Sequence, residues 1–464
     1  MGKRKEKILE LEIENLAFGG RGIAKLDGFV VFVEGAVPGD FVRAKIVKRK
    51  KQFAEAVVIE ILRPSQKRID PECKYFGTCG GCRWQSLDYK DQLEYKTSQV
   101  KEAFKHIGLI DSVEVLDALG SPQIFRYRNK MEFSFTDSGW LTPEQLEDKN
   151  IIKGSGVGLH VPGVFSKIID IDKCLIQPEQ GDIILDTVRK FMLSSEHKVY
   201  DGRKHEGFWR FLMIRHSVAE NSFMVNIVTG YENRDEIEAL GEELKKNCPY
   251  VTSFLNNVSS KKASISQGDY ELLIFGDNQI TEKIGDHSFS ISANSFFQTN
   301  TKGAEQLYNV VKEFADLKGD EYVADLYTGT GSIAIHLSGY ANEIFGVEIV
   351  EEAIKDARKN CEVNNITNCS FSAGDLKDVI QDMNRRPDVL VCDPPRAGMH
   401  KTVVEKILEL APEKIVYVSC NPATMARDIS MFKEKYDPVR VQPVDMFPHT
   451  YHIEAVAELV LRSF

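Results

Sequence analysis

The chain has 464 residues, of which 42% are hydrophobic and 28% are charged, and its formal net charge is −10. This apolar content is sufficient for ordinary folded cores, so a wholly disordered protein is excluded. No run approaches the ~18 consecutive apolar residues of a membrane-spanning helix, and the N-terminus lacks the apolar stretch of a secretory signal. Nine cysteines are too few and too unevenly spaced for a disulfide scaffold. We therefore expect a cytoplasmic protein of about three domains, with no membrane association and no evident obligate protein partner.

Residues 8–62 predict a small β-barrel, because short β-branched and aromatic runs alternate with glycine-rich turns. The predicted strands are Ile8–Ile13, Phe29–Val33, Phe41–Val47 and Ala54–Ile61. Residues 1–63 carry 13 Lys and Arg against 9 Asp and Glu, so this segment is basic within an acidic chain. The run 48–51 (KRKK) alone is typical of a solvated turn, and it gains importance only if the barrel binds nucleic acid.

The segment FGGRGIAKLDGFVVFVEGAVPGDFVRAKI, which begins at Phe18, resembles a TRAM domain. TRAM domains are small RNA-binding barrels related to oligonucleotide-binding folds. The resemblance implies that basic and aromatic side chains of this barrel contact RNA phosphates and bases.

Residues 64–285 combine features of a central α+β domain. The spacing of apolar residues predicts an amphipathic helix over 87–107, and residues 130–135 and 223–228 have the composition of strands. The polar stretch 138–153 is interpreted as a loop insertion. Arg126, Arg128, Asn129 and Lys130 are expected to lie on an RNA-binding surface, the alternative being solvated charges at a strand edge.

A cysteine cluster opens this central region, with the spacing Cys73-x5-Cys79-x2-Cys82 and a fourth cysteine, Cys174, far downstream. Four thiolates can ligate a 4Fe–4S cluster or a zinc ion. Zinc ribbons usually supply two CxxC pairs, whereas this sequence has a single CxxC.

From about residue 304, strands and helices alternate, which predicts a parallel sheet with helices on both faces. The predicted helices are 304–317, 332–337, 351–364, 403–410 and 423–432. The predicted strands are 322–326, 343–347, 389–392, 415–419 and 455–461.

The first strand of this region ends in a glycine-containing turn, Tyr327–Gly331, that opens a helix. Such a turn lets a ligand approach the backbone beside a helix N-terminus. Glu348 ends the next strand, where a carboxylate can accept hydrogen bonds from ribose hydroxyls. Because the third glycine of a dinucleotide fingerprint is missing, the pattern favours S-adenosylmethionine over NAD. The alternative is a ligand-free turn with a surface glutamate.

Two later strands also end in chemically distinctive residues. One is followed by Asp393 in the sequence DPPR, and the next by Cys420 at the start of a helix. A helix N-terminus favours the thiolate form of a cysteine, so Cys420 is a candidate nucleophile. Glu454 follows a segment with two histidines, His449 and His452, and all three are also compatible with ordinary structural roles. The remaining cysteines are interpreted as buried apolar residues: Cys248, Cys361, Cys369 and Cys392.

Together these segments resemble the RNA uracil-5 methyltransferase family, whose motifs they follow in order: SANSFFQTN (292–300), DLYTGTG (325–331), GVE (346–348), DPPR (393–396), SCNPAT (419–424) and HIE (452–454). The resemblance implies Cys420 as nucleophile and Glu454 as base. It implies that S-adenosylmethionine is contacted by Gln298, Tyr327, Glu348 and Asp393. It also implies a 4Fe–4S cluster on Cys73, Cys79, Cys82 and Cys174. Thr328 departs from the family, in which many members carry Cys.

The predicted fold is therefore multidomain: a TRAM-like, OB-like β-barrel (1–63), a central α+β iron–sulfur domain (64–285) and a C-terminal α/β Rossmann-like methyltransferase domain (286–464). In relatives the helix after the cluster packs on the catalytic domain, so 86–110 is a candidate member of that unit. The predicted chemistry is addition of the Cys420 thiolate to carbon 6 of uracil, methylation at carbon 5 and proton removal by Glu454. Phe296 and Phe297 are candidates to stack on the extruded base, the alternative being core packing.

Two other classes of function compete with this interpretation. A non-catalytic RNA-binding iron–sulfur protein or redox sensor needs neither Cys420 nor Glu454, and an exocyclic-amine methyltransferase needs no cysteine nucleophile. Within the family, the combination of TRAM barrel and cluster favours a uridine of 23S ribosomal RNA as substrate. Transfer RNA, through its T-loop uridine, is the alternative partner.

Overall fold

The computed structural model describes residues 7–148, 150–151, 153–262, 268–381, 383 and 385–463. Within these residues the chain forms sheets of six, seven and eight strands and a two-stranded ribbon. No helix in this part of the chain is long and apolar enough to cross a membrane.

The N-terminal sheet has the strand order β1-β5-β6-β4-β3-β2. Its strands are β1 (Ile8–Glu12), β2 (Asn15–Leu16), β3 (Gly22–Leu26), β4 (Phe29–Glu34), β5 (Phe41–Arg49) and β6 (Phe53–Arg63). The four predicted strands are confirmed. The prediction missed β2, which has two residues, and β3, whose first residue belongs to the glycine-rich sequence assigned to a turn. The basic run 48–51 spans the turn between β5 and β6, where Lys48 pairs with Glu55 at 3.1 Å.

A single helix was predicted over 87–107, and the structure divides it. Helix α1 (Tyr89–Ala103) begins after Asp88, whose side chain accepts a hydrogen bond from the backbone N–H of Lys90 at 2.9 Å. A π-helical turn, Phe104–Gly108, follows. The next strand, β7 (Glu114–Val115), pairs with the C-terminal sheet. The domain boundaries at residues 63 and 285 stay predictions, and the contacts of α1 and β7 join this segment to the C-terminal sheet.

The central sheet has the order β10-β9-β8-β11-β12-β13-β14 and is antiparallel except for the β12–β13 pair. Its strands are β8 (Lys130–Thr136), β9 (Gly156–Val161), β10 (Val164–Asp170), β11 (Trp209–Ser217), β12 (Ser222–Thr229), β13 (Val251–Val258) and β14 (Tyr270–Gly276). The helices of this region are α2 (Pro143–Glu147), α3 (Glu179–Ser194) and α4 (Arg234–Asn247). The predicted insertion 138–153 contains the short helix α2, and its residues 149 and 152 lie outside the described residues.

The C-terminal sheet has the order β19-β18-β17-β20-β21-β23-β22-β7. A ribbon of β15 (Gln279–Ile284) and β16 (His287–Ser292) precedes it. The strands that follow are β17 (Tyr322–Leu326), β18 (Glu343–Glu348), β19 (Cys369–Ala373), β20 (Val389–Cys392), β21 (Lys414–Ser419), β22 (Tyr436–Val444) and β23 (Glu454–Leu461). The helices are α5 (Thr301–Ala315), α6 (Ser332–Leu337), α7 (Glu351–Val363), α8 (Leu376–Val379), α9 (Lys401–Leu410) and α10 (Pro422–Phe432), with a 3-10 turn at Ser338–Tyr340.

The predicted parallel sheet is confirmed for five strands, which in sheet order are β19, β18, β17, β20 and β21. Two antiparallel strands, β23 and β22, extend it. The prediction missed β19 and β22. Strand β22 contains Pro438 and Pro443, and proline within a run argues against a central strand. The register between β22 and β23 shifts between Pro438 and Arg440, which accommodates the first proline at an irregularity.

Candidate active site

The carboxyl ends of four parallel strands meet at one edge of the C-terminal sheet. Leu326 of β17 pairs with Val347 of β18 on one side and with Cys392 of β20 on the other. Cys392 in turn pairs with Tyr417 of β21. The residues that follow these positions are therefore brought together at this edge, where open α/β sheets bind ligands. They are Tyr327, Glu348, Asp393 and Cys420.

The antiparallel strand β23 adds Glu454 to this edge. Ser419, the last residue of β21, pairs with Ala455, so Cys420 and Glu454 each lie one residue beyond this last pair. The charge of Glu454 acts on the Cys420 thiol, which shows that the two side chains are near each other. A segment far along the chain thus places a carboxylate beside the candidate nucleophile.

The environment of Cys420 does not favour the thiolate that its position before α10 predicts. Burial, the nearby Glu454 and Asp393 raise the pKa of Cys420 to about 11, and the Arg396 guanidinium opposes them. The pKa of Cys420 is therefore raised, opposite to the direction that the helix N-terminus favours, and its role as nucleophile stays a prediction. Two carboxylates and desolvation outweigh the helix end.

The Glu454 residue as a whole is partly exposed. Burial raises the pKa of Glu454 well above its ordinary value, and Asp393 adds to this effect. Arg396 and Lys96 oppose it. The direction agrees with the sequence-based requirement for a base of raised pKa.

Asp393 has a raised pKa of about 6 because of burial. It follows β20, and its charge raises the pKa values of both Cys420 and Glu454. It also raises the pKa of Asp325. Asp393 therefore lies between the Cys420–Glu454 pair and the glycine-containing turn.

The turn after β17 uses left-handed backbone at Tyr327 (φ 62°), Gly329 (φ 55°) and Gly331 (φ 77°). A non-glycine residue in this region is uncommon, and such strain is concentrated at ligand-binding positions. Gly346 of β18 lies tightly behind the turn, since a Cβ there would stand 2.5 Å from the Phe371 ring. The turn and β18 are thus packed too closely for a larger side chain.

Sequence reasoning did not select Asp325, the last residue but one of β17. Its carboxyl group is buried, Oδ2 accepts a hydrogen bond from the Thr328 hydroxyl at 2.5 Å, and Oδ1 has no partner among the described residues. Burial raises the pKa of Asp325 to about 7. An unsatisfied buried carboxylate oxygen beside a strained turn fits a site that is completed by a ligand. The family's usual cysteine is here Thr328, which supplies this hydroxyl donor.

Glu348 is held in place by backbone N–H groups. Its Oε1 accepts from Ile349 at 2.9 Å and from Val350 at 3.0 Å, and its Oε2 accepts from Gly329 at 3.3 Å. A carboxylate has about four lone-pair sites, so after these three bonds capacity remains for about one hydroxyl donor. The arrangement fits recognition of a ribose.

Gln298 precedes α5 and its side chain hydrogen-bonds the hydroxyl of Tyr308. Tyr308 is fully buried, and its hydroxyl also bonds the Ser332 hydroxyl at 2.8 Å. The charges of Asp393 and Asp325 act on Tyr308, which places it behind the turn. Sequence reasoning missed Tyr308, because an aromatic residue on the apolar face of a helix has the pattern of core packing.

The two adjacent phenylalanines before Gln298 have different environments. Phe297 is 6% exposed and packs against Phe289, with ring centroids 5.7 Å apart. Phe296 is 72% exposed. Core packing is therefore confirmed for Phe297, and Phe296 alone remains available to a base.

The four cysteines of the predicted cluster line one cavity, together with Tyr75, Phe76, Gln85 and Ile176. Burial raises the pKa of Cys79 to about 11 and that of Cys82 and Cys174 to about 12. Within the described residues no group of three His, Cys, Asp or Glu side chains is arranged to hold a metal ion.

The backbone N–H of Gly81 donates to the sulfur of Cys79 at 3.4 Å. The backbone N–H groups of Tyr75 and Phe76 lower the pKa of Cys73, and that of Ile176 lowers the pKa of Cys174, in each case against the larger effect of burial. The Gln85 side chain acts on the pKa of Cys82 in the same direction. Such donors stabilise thiolates and tune iron–sulfur clusters. The donor set therefore fits a four-thiolate cluster.

Comparisons with known proteins found matching family models and similar chains. A family model described as tRNA (Uracil-5-)-methyltransferase matches residues 239–462, and a TRAM domain model matches residues 3–59. An uncharacterized RNA methyltransferase of Porphyromonas gingivalis is 41% identical, over 97% of this chain and 99% of its own length. One from Chlorobaculum tepidum is 40% identical, over 98% of this chain and 96% of its own length.

The chain belongs to the RNA uracil-5 methyltransferase family. A solved structure, the Pyrococcus abyssi tRNA (uracil-54, C5)-methyltransferase in complex with S-adenosyl-L-homocysteine, is similar to it with a TM-score of 0.75 and 30% identity. The match covers 97% of this chain and 100% of that one. The chain is therefore an S-adenosylmethionine-dependent RNA methyltransferase with an N-terminal TRAM domain.

Two of the residues predicted to lie on an RNA-binding surface make hydrogen bonds within the protein. Arg126 is partly exposed and donates to the carbonyl groups of Cys174 at 2.9 Å and Gln177 at 2.8 Å. Asn129 is 7% exposed and donates to the Gln298 carbonyl at 3.0 Å. Burial argues against an RNA contact for Asn129, whereas an RNA contact of Arg126 stays a prediction.

The enzyme's two histidines near Glu454 also differ. His449 is buried, and its carbonyl group accepts backbone N–H groups of Arg83 at 2.8 Å and Trp84 at 2.9 Å. This confirms the structural alternative for His449. His452 is half-buried, and its Nδ1 lies 3.3 Å from the Arg396 guanidinium. Of the cysteines interpreted as buried, Cys369 is partly exposed, and Cys248, Cys361 and Cys392 are buried.

Proposed function

We propose that the enzyme methylates carbon 5 of a uridine in RNA through a covalent adduct between Cys420 and the uracil ring. The observation that carries the proposal is that Cys420 and Glu454 each lie one residue beyond the Ser419–Ala455 pair, at the strand edge that also holds Glu348 and Asp393. A nucleophile and a base near each other are what the chemistry requires. An exocyclic-amine methyltransferase would need neither.

Carbon 5 of uracil is a weak nucleophile, and the protein's task is to activate it. Cys420 releases its proton to solvent water and adds through its sulfur to carbon 6, and the electron pair of the 5,6 double bond becomes an enolate. Carbon 5 then forms a bond to the methyl group, whose bond to the donor sulfur breaks. Glu454 removes the proton from carbon 5, the 5,6 double bond re-forms and the Cys420 thiolate leaves.

S-adenosylmethionine, when bound, supplies a methyl group activated by a sulfonium. The residues that fit its binding are Gln298, Tyr327, Glu348 and Asp393, as the family resemblance implies. Asp325 joins them because its Oδ1 atom is buried and unsatisfied among the described residues. Glu348 accepts a ribose hydroxyl, and Phe296 offers an exposed ring for stacking on the extruded uracil.

Cys73, Cys79, Cys82 and Cys174 are proposed to hold a 4Fe–4S cluster. Support comes from the shared cavity and from the N–H donors directed at the sulfurs. With four protein ligands no iron has an open position, so the cluster's role is structural. It ties together two segments separated by 91 residues between Cys82 and Cys174.

Anaerobically purified protein is expected to contain about four irons and four sulfides per chain. Cys79→Ala should abolish the brown absorbance and lower solubility, because three thiolates no longer enclose the cluster. Cys248→Ala is the matched control, since Cys248 is a buried cysteine of the same central region outside the cavity. One tightly bound zinc without sulfide would contradict the cluster.

The first candidate substrate is a uridine of 23S ribosomal RNA. A basic barrel and a cysteine domain give an RNA footprint larger than a compact T-loop requires. The second candidate is the transfer RNA T-loop uridine. It is favoured by the similarity to the Pyrococcus abyssi tRNA (uracil-54, C5)-methyltransferase, which matches all three sheets of this chain and not only the catalytic one.

The test compares incorporation of labelled methyl groups into protein-free 23S RNA and into unmodified transfer RNA, at low enzyme concentration. We expect preferential labelling of 23S RNA, with the label recovered as 5-methyluridine. Preferential labelling of transfer RNA would overturn the ribosomal assignment and leave the uracil-5 chemistry intact. Label recovered on an exocyclic amine, or no label with either RNA, would overturn the proposed reaction.

A further inference from the structure

The TRAM barrel is packed tightly against the segment that carries Glu454. Gly20 has a φ of +85°, and a Cβ at this position would lie 3.1 Å from the Trp84 indole nitrogen and 3.4 Å from the Tyr451 Cβ. Arg83, next to Trp84, forms an ion pair with Glu34 of the barrel. The barrel turn, the loop after the cluster cysteines and the segment before Glu454 therefore form one junction with little room between them.

A row of rings crosses this junction at the surface. Phe18 of the barrel turn is 42% exposed and meets Tyr451 edge-on, with ring centroids 6.1 Å apart. Tyr451 lies against His452, with centroids 4.4 Å apart and an interplanar angle of 33°. Tyr451 and His452 are both partly exposed. We call Phe18, Tyr451 and His452 the aromatic row.

The aromatic row ends at the catalytic residues. His452 lies 3.3 Å from Arg396, whose charge acts on both Cys420 and Glu454. Glu454 itself is two residues after His452. A strand of RNA with one base in the catalytic pocket thus has its neighbouring bases within reach of the row.

We propose that the aromatic row is a stacking subsite for unpaired nucleobases next to the methylated uridine, with Phe18 contributed by the TRAM barrel. This inference rests on the proposed function. Aromatic side chains bind single-stranded RNA by stacking, and every base offers a π-face. The large faces of purines gain most from such a subsite. Burial lowers the pKa of His452 to about 4, so its ring is neutral at physiological pH and stacks without a charge.

Packing at the junction does not by itself explain why position 18 carries an exposed aromatic side chain. The neighbouring Leu16 is 5% exposed and fills the apolar space together with Val37, Trp84 and Leu87. Phe18 contacts the junction by its edge and leaves much of its ring accessible. The barrel therefore contributes more than charge to RNA binding, since it adds a specific contact near the reacting base.

The experiment uses the full-length enzyme and an unmodified RNA fragment that contains the uridine to be methylated. A second set of fragments carries an abasic residue at each of the positions flanking that uridine. Phe18→Ala is expected to raise KM for the intact fragment about tenfold, the size of a lost base–aromatic stack, with kcat little changed. On the fragment that lacks the stacked base, Phe18→Ala and wild type should have equal KM values.

Two further variants separate stacking from packing. Phe18→Leu keeps an apolar side chain against Tyr451 but removes the aromatic face, so it should lose as much affinity as Phe18→Ala. Leu26→Ala is the matched control, because Leu26 is 41% exposed on the same barrel and is outside the row. An unchanged KM in Phe18→Ala, or the same loss on every abasic fragment, would overturn the proposal. Failure of wild type to form 5-methyluridine would instead overturn the proposed function.

Discussion

Cys420→Ala is expected to abolish methyl transfer while S-adenosylmethionine binding survives. The thiol attacks the base, and none of the residues that fit the methyl donor is removed by this change. Loss of a nucleophile that forms a covalent intermediate typically lowers kcat by orders of magnitude. Binding of S-adenosylmethionine by calorimetry and methyl incorporation into RNA are the two measurements. Cys361→Ala is the control and should retain activity, because Cys361 is a buried cysteine of the same C-terminal region.

Glu454→Gln is expected to trap RNA on the protein. Methyl transfer to carbon 5 precedes the step that needs the base, so the adduct forms and is not resolved. Glutamine preserves the size of the side chain and removes its ability to accept the proton. A gel-stable protein–RNA complex in Glu454→Gln, and its absence in the double variant with Cys420→Ala, is the expected pattern.

These two variants also separate the proposed mechanism from its rivals. Wild-type turnover by Cys420→Ala would exclude covalent catalysis. Loss of S-adenosylmethionine binding in Cys420→Ala would assign the cysteine to the donor site instead. If Glu454→Gln lowered the rate without any adduct, Glu454 would act before the addition step, for example on the nearby thiol of Cys420.

The regular alternation of strands and helices made most of the C-terminal sheet predictable, because β17, β20 and β21 are apolar runs that are buried along nearly their whole length. Strand β22 was not predictable, because its prolines contradict the local rule for a central strand. The two-residue strand β7 was not predictable either, because its place in the C-terminal sheet depends on pairing with β22. Local sequence patterns are enough to predict the regular strands and helices, whereas β22 and β7 form because of pairing with distant parts of the chain.

Individual site residues were predictable, but their electrostatics were not. A cysteine before a helix predicts a thiolate, yet burial, together with the carboxylates of Glu454 and Asp393 from elsewhere in the chain, raises the pKa of Cys420. Asp325 was missed because a single carboxylate within an apolar strand has no local signature of an unsatisfied oxygen. Which charges surround a group follows from tertiary packing, so this part of the site required the structure.

The burial of Lys96 was also not predictable from the sequence, because a lysine on an amphipathic helix is normally solvated. Its side chain is 1% exposed, and its Nζ donates to Asp445 at 2.6 Å, whose own side chain is 0% exposed. Asp445 also accepts from the Tyr89 hydroxyl at 2.9 Å and from the backbone N–H of Phe447 at 3.0 Å. This ion pair fastens α1 beneath the segment that leads to Glu454.

Lys96→Met is therefore expected to lower the free energy of unfolding by about 3–5 kcal/mol, because it leaves the Asp445 carboxylate buried without its cation. Urea denaturation measures the change, and hydrogen exchange of residues 445–454 should show where protection is lost. Lys190→Met is the control. Lys190 is exposed and pairs with Asp186 on one helix at 2.7 Å, so its loss should change stability by at most about 1 kcal/mol.

The double variant Lys96→Met/Asp445→Leu distinguishes an ion pair from simple packing. Because it removes both charges, it should be more stable than Lys96→Met alone, since no unpaired charge remains buried. If the double variant were instead less stable by the sum of the two single losses, the two side chains would contribute independently. The buried pair would then not be what holds α1 against the Glu454 segment.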